Sequence, residues 1–232
     1  MINVIRQRWS HGGVDADLWA LSGEGPAHLP PAGQLAALVD AAGAVLARHG
    51  LSLDNLVHQR LWLRERGMRD EIDGVRRDLL RGPRRCASSS FYCAARMRAG
   101  GGVALDLLTQ SPTGRRARRI VDFAPPRRYA WYLLQDGWQH FSGMAESADG
   151  VAAQFDAACG QIERGLAAEG RDWRCVTQAR LFLERGQGEE NWLRDAFARR
   201  SGLAAETVAF DWVDGLASAD KHLEIEAVAR PI

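Results

Sequence analysis

The stretch Arg180-Leu181-Phe182-Leu183 (RLFL) decides the fold, because a similar stretch, Arg60-Leu61-Trp62-Leu63 (RLWL), stands 120 residues earlier (180 − 60). Three further landmarks keep this spacing: Trp9 with Tyr129, Ser22-Gly23 with Ser142-Gly143, and Gln34 with Gln154. A spacing that holds at four separate landmarks indicates a tandem duplication. Two copies are too few for a solenoid, so the repeat predicts a molecule of two pseudo-symmetric units.

Length and composition agree with two units. The chain has 232 residues, enough for two domains of about 100 residues that each bury a core. Apolar residues make up 46% and charged residues 25%, which is typical of a folded globular protein. We predict a first unit over residues 1–110, a linker over 111–128 and a second unit over 129–232.

The charge and the cysteine content restrict the partners and the compartment. A net charge of +1 gives no general attraction to nucleic acid or to an acidic membrane surface. No stretch approaches the roughly 20 apolar residues of a membrane span, and the N-terminus lacks the apolar run of a signal peptide. Four cysteines are too few for a disulfide scaffold. We therefore expect a cytoplasmic protein that binds neither nucleic acid nor membranes.

Hydrophobic spacing predicts the same order of elements in both units. In the first unit it favours a strand over 17–22, a helix from Gln34, a strand over 56–63 and a second helix over about 69–80. Two strands, 88–97 and 103–108, follow around the glycine-rich turn AGGG, and this pattern predicts a hairpin. The second unit repeats this β-α-β-α-β-β order and ends in a closing strand pair, 208–213 and 223–229.

Each unit resembles the RidA/YjgF family of reactive-intermediate deaminases. The second unit carries motifs of that family in their usual order: Tyr129, Ser142-Gly143, Gln154, Leu181-Phe182-Leu183 and Leu223-Glu224-Ile225-Glu226-Ala227. The first unit matches more loosely, at Trp9, Ser22-Gly23, Gln34, Leu61-Trp62-Leu63, Ala95-Arg96-Met97 and Leu105-Asp106-Leu107. The resemblance implies an α/β (α+β) fold of two chorismate-mutase-like units, with helices on one face of a mixed sheet. It also implies a homo-oligomer, with a trimer favoured, and ligand clefts between units.

The resemblance implies an enzyme that acts on an imine, enamine or other unsaturated small molecule bearing a carboxylate. Glu224 then corresponds to the family glutamate that holds the attacking water, and Tyr129 to the tyrosine that lines the cleft. Ser142 belongs to the Ser-Gly turn of the same site, and Asp106 is the expected counterpart of Glu224 in the first unit. By strand periodicity Glu224 and Glu226 share a face, which is either the cleft face or a solvent-facing edge.

The substrate carboxylate needs an arginine, which binds carboxylates through two parallel hydrogen bonds. Alignment on Ala95-Arg96-Met97 places Ser89 at the family arginine position, while Arg85 is the most similar arginine in local sequence. Arg60 and Arg180 lie inside predicted strands, where an unpaired arginine is costly. They therefore form either salt bridges at the interface of the units or a carboxylate-binding pair.

Other chemistries have less support in the sequence. The chain has no Cys-x-x-Cys or His-x-x-x-His spacing and no phosphate-binding glycine loop, so we predict neither a metal site nor a cofactor. Cys86 lies beside Arg84 and Arg85 and is a candidate activated thiol. Ser142-Gly143-Met144-Ala145 resembles a turn of chorismatases, so a chorismatase-like hydrolase or lyase is one alternative. A non-catalytic protein that binds a metabolite or partners another enzyme is another. RNA cleavage, which is also associated with the family, is disfavoured by the lack of a basic stripe.

Overall fold

The two units fold as the duplication predicts, each as a mixed sheet with two helices. The computed structural model describes residues 2–11, 13–114 and 116–232. The first unit contains β1 (Ile2–His11), β2 (Val14–Glu24), α1 (Pro31–Ala47), β3 (Leu56–Leu63), α2 (Met68–Leu79), β4 (Ala87–Tyr92) and β5 (Val103–Gln110). The second part contains β6 (Arg119–Val121), β7 (Tyr132–Gln135), β8 (Trp138–Phe141), α3 (Gly150–Ala167), β9 (Val176–Glu184), α4 (Glu190–Ser201), β10 (Ala209–Val213), β11 (Gly215–Leu216) and β12 (Leu223–Ala229).

Corresponding strands occupy corresponding places in the two sheets. The described residues form one sheet in the order β1-β2-β5-β3-β4-β11 and another in the order β10-β9-β12-β8-β7-β6. Within the first, β3 runs parallel to β4 and antiparallel to β5; within the second, β9 runs parallel to β10 and antiparallel to β12. The predicted fold class is therefore confirmed, with an additional strand, β1 or β7, ahead of the first predicted strand of each unit.

The two predicted strand pairs at the ends of the units are wrong as pairs. β4 and β5 are separate strands as expected, but β3 lies between them, and β9 likewise lies between β10 and β12. The glycine-rich segment 99–102 thus connects two strands across a third and does not form a hairpin turn. The unit boundaries remain a prediction; the short strand β6 lies within the segment 111–128 and pairs with β7.

The central strands β3 and β12 are buried on both faces, and the two faces contact different parts of the molecule. On β3, Leu61 and Leu63 pack with helices α1 and α2 in the core of the first unit. The alternate residue Trp62 packs instead with Phe91 and Phe182 in a cluster shared by both units. Period-two alternation therefore turns one face of each sheet to its helices and the other to the partner unit. Polar side chains on that second face lie between the units.

Backbone pairing also ties the units together. The two-residue strand β11, which follows β10 in the chain, pairs antiparallel with Tyr92 and Phe91 of the first sheet. The Gly143 N–H donates to the Ser88 carbonyl at 3.3 Å, and the Ala130 N–H donates to the Cys86 carbonyl at 3.1 Å. In the described part of the chain, no helix has the length and apolar character to span a bilayer.

Candidate active site between the two units

A cleft of about 240 Å³ lies where the two units meet. The first unit contributes Arg69 of α2, and the second contributes the segment before β7, the turn after β8 and the strand β12. Tyr129 and Glu224, the two residues predicted to be catalytic, both line it, together with Gly143. The structure therefore brings the predicted glutamate, tyrosine and Ser-Gly turn to one place.

Glu224 is a buried carboxyl group at the base of this cleft. β12 is a central strand, flanked by β9 and β8, so the alternative of a solvent-facing edge is wrong for both glutamates. Glu224 is only 6% exposed, and its Oε1 has no hydrogen-bond partner among the described residues. Burial, and then the negative charge of Glu226, raise the pKa of Glu224 to about 8. The side chain is consequently a neutral acid at pH 7.

Gly143 makes room for that carboxyl group. A Cβ atom added at this position would lie 1.6 Å from Glu224 Oε1 and 2.1 Å from its Cδ. The glycine of the Ser-Gly turn is therefore required by close approach of a side chain, since any larger residue would displace the acid.

The cleft is positively charged around the acid. Arg69, Arg127 and Lys221 line it, and within the residues described none of the three forms a salt bridge. Their nearest hydrogen bonds are to neutral groups: Arg69 donates to the Ala217 carbonyl at 2.5 Å, and Lys221 to the Ala145 carbonyl at 2.7 Å. Three cations without a carboxylate partner form an environment suited to an anionic ligand.

A fourth cation, Arg76, lies deeper in α2. It is 9% exposed, its Nη2 donates to the Ser88 hydroxyl at 3.2 Å, and its Nε has no partner in the part of the chain that the structure describes. Burial lowers the pKa of Arg76, whereas Tyr129 and Glu224 are close enough to oppose this shift. The arginine thus adds positive charge behind the cleft without being neutralised by a carboxylate.

Ser142 and Arg85, which were predicted to bind substrate, support the cleft from outside. The Ser142 hydroxyl is buried, accepts a hydrogen bond from the Ser88 N–H at 2.8 Å and donates to the Ala130 carbonyl. Arg85 donates to the carbonyls of Arg127 and Arg128 and pairs with Asp122. It therefore holds the segment that carries Arg127 and Tyr129.

Arg60 forms a salt bridge between the units. Its Nε donates to both oxygens of Glu226, at 2.9 and 2.7 Å, and its Nη2 lies 2.6 Å from Oε2. His58 Nε2 lies 3.5 Å from the same carboxylate. Burial alone would raise the pKa of Glu226, but the charge of Arg60, with His58 and the hydrogen bonds, lowers it to about 2. Of the two predicted alternatives for Arg60, the structure shows the salt bridge.

Arg180 and Asp106 also lie away from the cleft. Arg180 pairs with Asp211 on the neighbouring strand β10, and with Arg60 it lines a second cavity of about 120 Å³. Asp106 accepts hydrogen bonds from Trp62 Nε1 at 2.8 Å and from Arg96 at 2.7 Å. The arginines therefore do not form a carboxylate-binding pair at the acid.

The strand register corrects one predicted correspondence. Arg60 is paired with Asp106 and Arg180 with Glu226, whereas Trp62 is paired with Ala104 and Phe182 with Glu224. Asp106 is thus the counterpart of Glu226, and Ala104 is the counterpart of Glu224. The first unit has no acid at the position of Glu224.

Ser89 lies on β4, opposite the two glutamates. Its hydroxyl is buried, has no hydrogen-bond partner of normal geometry among the described groups, and is close enough to lower the pKa of both Glu224 and Glu226. The position that alignment assigned to the family arginine is therefore occupied by a small polar residue beside the acid.

The sequence reasoning missed the cleft cations. Lys221 is the only lysine of the chain and stands three residues before Glu224, a signal that was present in the sequence. Arg127 is two residues before Tyr129, but Arg69 and Arg76 look like the polar face of an ordinary helix. Cys86, by contrast, is not an activated thiol, because burial raises its pKa to about 12.

Comparison with solved structures agrees with the two-unit fold. A chorismatase structure is similar over 96% of this chain and 79% of its own, with a TM-score of 0.63 and 15% identity. YjgF-family structures match about half of the chain: one from Mycobacterium tuberculosis (23% identity, 49% of this chain, 99% of that one, TM-score 0.42) and one from Neisseria meningitidis (27%, 50%, 96%, 0.42). No family model matches the sequence, and no curated protein matches it.

The chain thus consists of two tandem units of similar strand topology. Over nearly its full length the fold resembles that of the chorismatase structure, and at 15% identity this is a likeness of fold alone.

Proposed function

We propose that this chain is an enzyme that uses Glu224 as a general acid on a small, unsaturated, carboxylate-bearing molecule. The observation that supports this most directly is the buried carboxyl group of Glu224, protonated at pH 7, in a cleft lined by unpaired cations. An acid whose pKa lies near the working pH is an effective proton donor. The cations Arg69, Arg127 and Lys221 would hold the carboxylate, in place of the arginine that the family carries on a strand.

The reaction then follows from the positions of the proton and the charge. Glu224 gives its proton to a nucleophilic carbon or nitrogen of the substrate, and the adjacent carbon becomes electron-deficient. Water adds to that carbon while the Glu224 carboxylate takes back a proton. The adduct then collapses and releases either ammonia, from an imine, or an alcohol, from an enol ether. One acid and one water molecule therefore suffice for both kinds of hydrolysis.

A chorismatase-like hydrolysis or elimination is the candidate within this class that the cleft favours. A substrate with one carboxylate needs one cation, whereas this cleft offers three that have no carboxylate partner within the described residues. A molecule with two carboxylates and an enol ether, such as chorismate, would use more of these cations than a substrate with one carboxylate.

The test offers the protein chorismate and, separately, a freshly generated 2-imino acid. Release of pyruvate with a non-aromatic diol identifies enol-ether hydrolysis, and release of pyruvate with a hydroxybenzoate identifies elimination. Release of ammonia above the spontaneous rate identifies imine hydrolysis. Glu224→Gln should lower the rate of whichever reaction the protein catalyses by roughly 10²–10⁴-fold, as expected for loss of a general acid. Turnover at the background rate with both substrates would refute the proposal, and binding without turnover would favour the non-catalytic alternative.

The pH profile gives a second test. Because the acid form is the active one, kcat/KM should be constant below the pKa of Glu224 and fall as pH rises through about 8. A rate that instead increases through this range would assign Glu224 the role of a base.

A further inference from the structure

Glu224 and Glu226 are two residues apart on β12, so both lie on the face of this strand that points to the first unit. Both are buried, at 6% and 4% exposure. The rise of a strand places alternate residues about 7 Å apart. Two ionised carboxylates at this separation, away from water, would repel each other strongly, so one of them retains a proton.

The contacts decide which of the two is ionised. Glu226 receives three close contacts from Arg60, at 2.6 to 2.9 Å, and lies 3.5 Å from His58. Glu224 has no salt bridge within the described residues, and its Oε1 has no partner. The negative charge therefore resides on Glu226 and the proton on Glu224.

The register explains why Arg60 is available for this contact. Its paired residue on β5 is Asp106, but that carboxylate binds Trp62 and Arg96. In the second unit the equivalent arginine, Arg180, pairs with Asp211 of its own unit. Of these two equivalent arginines, only Arg60 reaches across the interface, and it does so to the strand that carries the acid.

We propose that Glu226, held in place by Arg60, is a positioning residue whose buried negative charge keeps the proton on Glu224. The first unit, which lacks an acid of its own at this position, thereby acts on the acid of the second. The inference rests on the proposed role of Glu224, and its test is a titration that needs no substrate.

The other charged and polar groups around Glu224 are Ser89 on β4, Arg76 and Arg69 on α2, Lys221 before β12, and Arg127 and Tyr129 before β7. Ser89, Lys221 and Arg76 each lower the pKa of Glu224, whereas burial and Glu226 raise it. Glu226 is thus the charged group that favours the proton on Glu224.

Removal of the Glu226 charge should therefore lower the titration midpoint of Glu224. Two unit charges about 7 Å apart at an effective dielectric constant near 20 shift a pKa by roughly one to two pH units. The midpoint should remain above the ordinary glutamate value, because the contribution of burial is unchanged.

The experiment follows the Glu224 side-chain carboxyl signal by carbon-13 NMR in protein labelled at glutamate, assigned by its loss in Glu224→Gln. The variants are Glu226→Gln and the double variant Arg60→Gln/Glu226→Gln, which leaves no unpaired buried charge and so provides the measurement if the single variant does not fold. Asp211→Asn is the matched control. It removes the carboxylate that pairs with Arg180, the equivalent of Arg60, and this ion pair does not contact Glu224.

We expect the Glu224 midpoint to fall by roughly one to two pH units in Glu226→Gln, to fall by less in the double variant, which also removes the positive charge of Arg60, and to stay unchanged in Asp211→Asn. A midpoint unchanged by Glu226→Gln or by the double variant overturns the inference, as does an equal shift in Asp211→Asn. If the shift occurs but neither test substrate is turned over, the coupling stands and the proposed activity fails.

Discussion

Replacing Glu224 by glutamine should stabilise the protein while it abolishes the proposed activity. In an unfolded chain this carboxyl has its ordinary pKa of 4.5, whereas in the folded protein the pKa is about 8. The folded state therefore binds the proton more tightly. The stability associated with that proton is fully present below pH 4.5 and is lost as the pH rises to about 8.

The size of the effect follows from the same two values. At one pKa unit per 1.36 kcal/mol, ionisable Glu224 lowers the free energy of unfolding by ~3 kcal/mol at pH 7 and by ~1 kcal/mol at pH 5, relative to a side chain that does not ionise. Glutamine has nearly the same shape and no charge. The variant should therefore gain most of these amounts, less any cost of burying its amide.

Urea denaturation followed by tryptophan fluorescence measures this difference, since the chain has eight tryptophans. The matched control is Glu226→Gln, two residues away on the same face. The pKa of Glu226 is lowered to about 2, so this glutamate stabilises the fold above pH 4.5 and loses that contribution as the pH falls toward 2. Its replacement should cost ~3 kcal/mol at pH 7 and also leave Arg60 unpaired.

Two substitutions on one strand should thus change stability in opposite directions. If Glu224→Gln is destabilising at pH 7, or if its effect is the same at pH 5 and pH 7, then Glu224 is not a buried neutral acid and the reasoning fails.

The remaining predictions concern the cleft and the thiols. Gly143→Ala should lower kcat at least tenfold, because its Cβ would overlap the Glu224 carboxyl; an active variant would show that the acid can move. Arg127→Met should raise KM roughly tenfold with a smaller change in kcat, and Arg98→Met, an exposed charge that does not line the cleft, should change neither. Cys175 should be alkylated before Cys86 and Cys159, because burial raises the pKa of each of these two thiols to about 12. Mass spectrometry of the partly modified protein gives the order, and earlier modification of Cys86 or Cys159 would contradict the prediction.

Much of the fold could be read from the sequence because its strands are strongly patterned. The strand predicted over 56–63 is β3 with the same bounds, and its near-complete burial explains why apolar composition alone identified it. The 120-residue offset recurs in the strand register, where Arg60 faces Asp106 and Arg180 faces Glu226. Local sequence patterns and their repetition were therefore sufficient to predict the fold class.

The order of strands within a sheet could not be obtained in the same way. β4 and β5 are neighbours in sequence with a glycine-rich connection, which is also what a hairpin looks like. Only the insertion of β3, a contact between distant residues, distinguishes the two arrangements. The strand β1 was missed as well, because most of its residues are exposed and it lacks a buried alternating face.

The candidate site divides in the same way. Glu224, Tyr129 and Gly143 lie in short motifs and were found, whereas Arg69 and Arg76 belong to a helix of the other unit. Their relation to Glu224 depends on how two sheets pack, and no local pattern encodes that. The pairing of Arg60 with Glu226 joins residues 166 positions apart and was for the same reason only one of two alternatives.

Ala104 occupies the strand position in the first unit that Glu224 occupies in the second, and this difference has an evolutionary consequence. When identical subunits associate, each mutation appears in every interface at once, so a cleft cannot lose its acid without the loss of all the others. Joining two units in one polypeptide removes this constraint. One copy is then free to exchange its acid for alanine and to specialise as a wall of the cleft, while selection on the other copy preserves the chemistry.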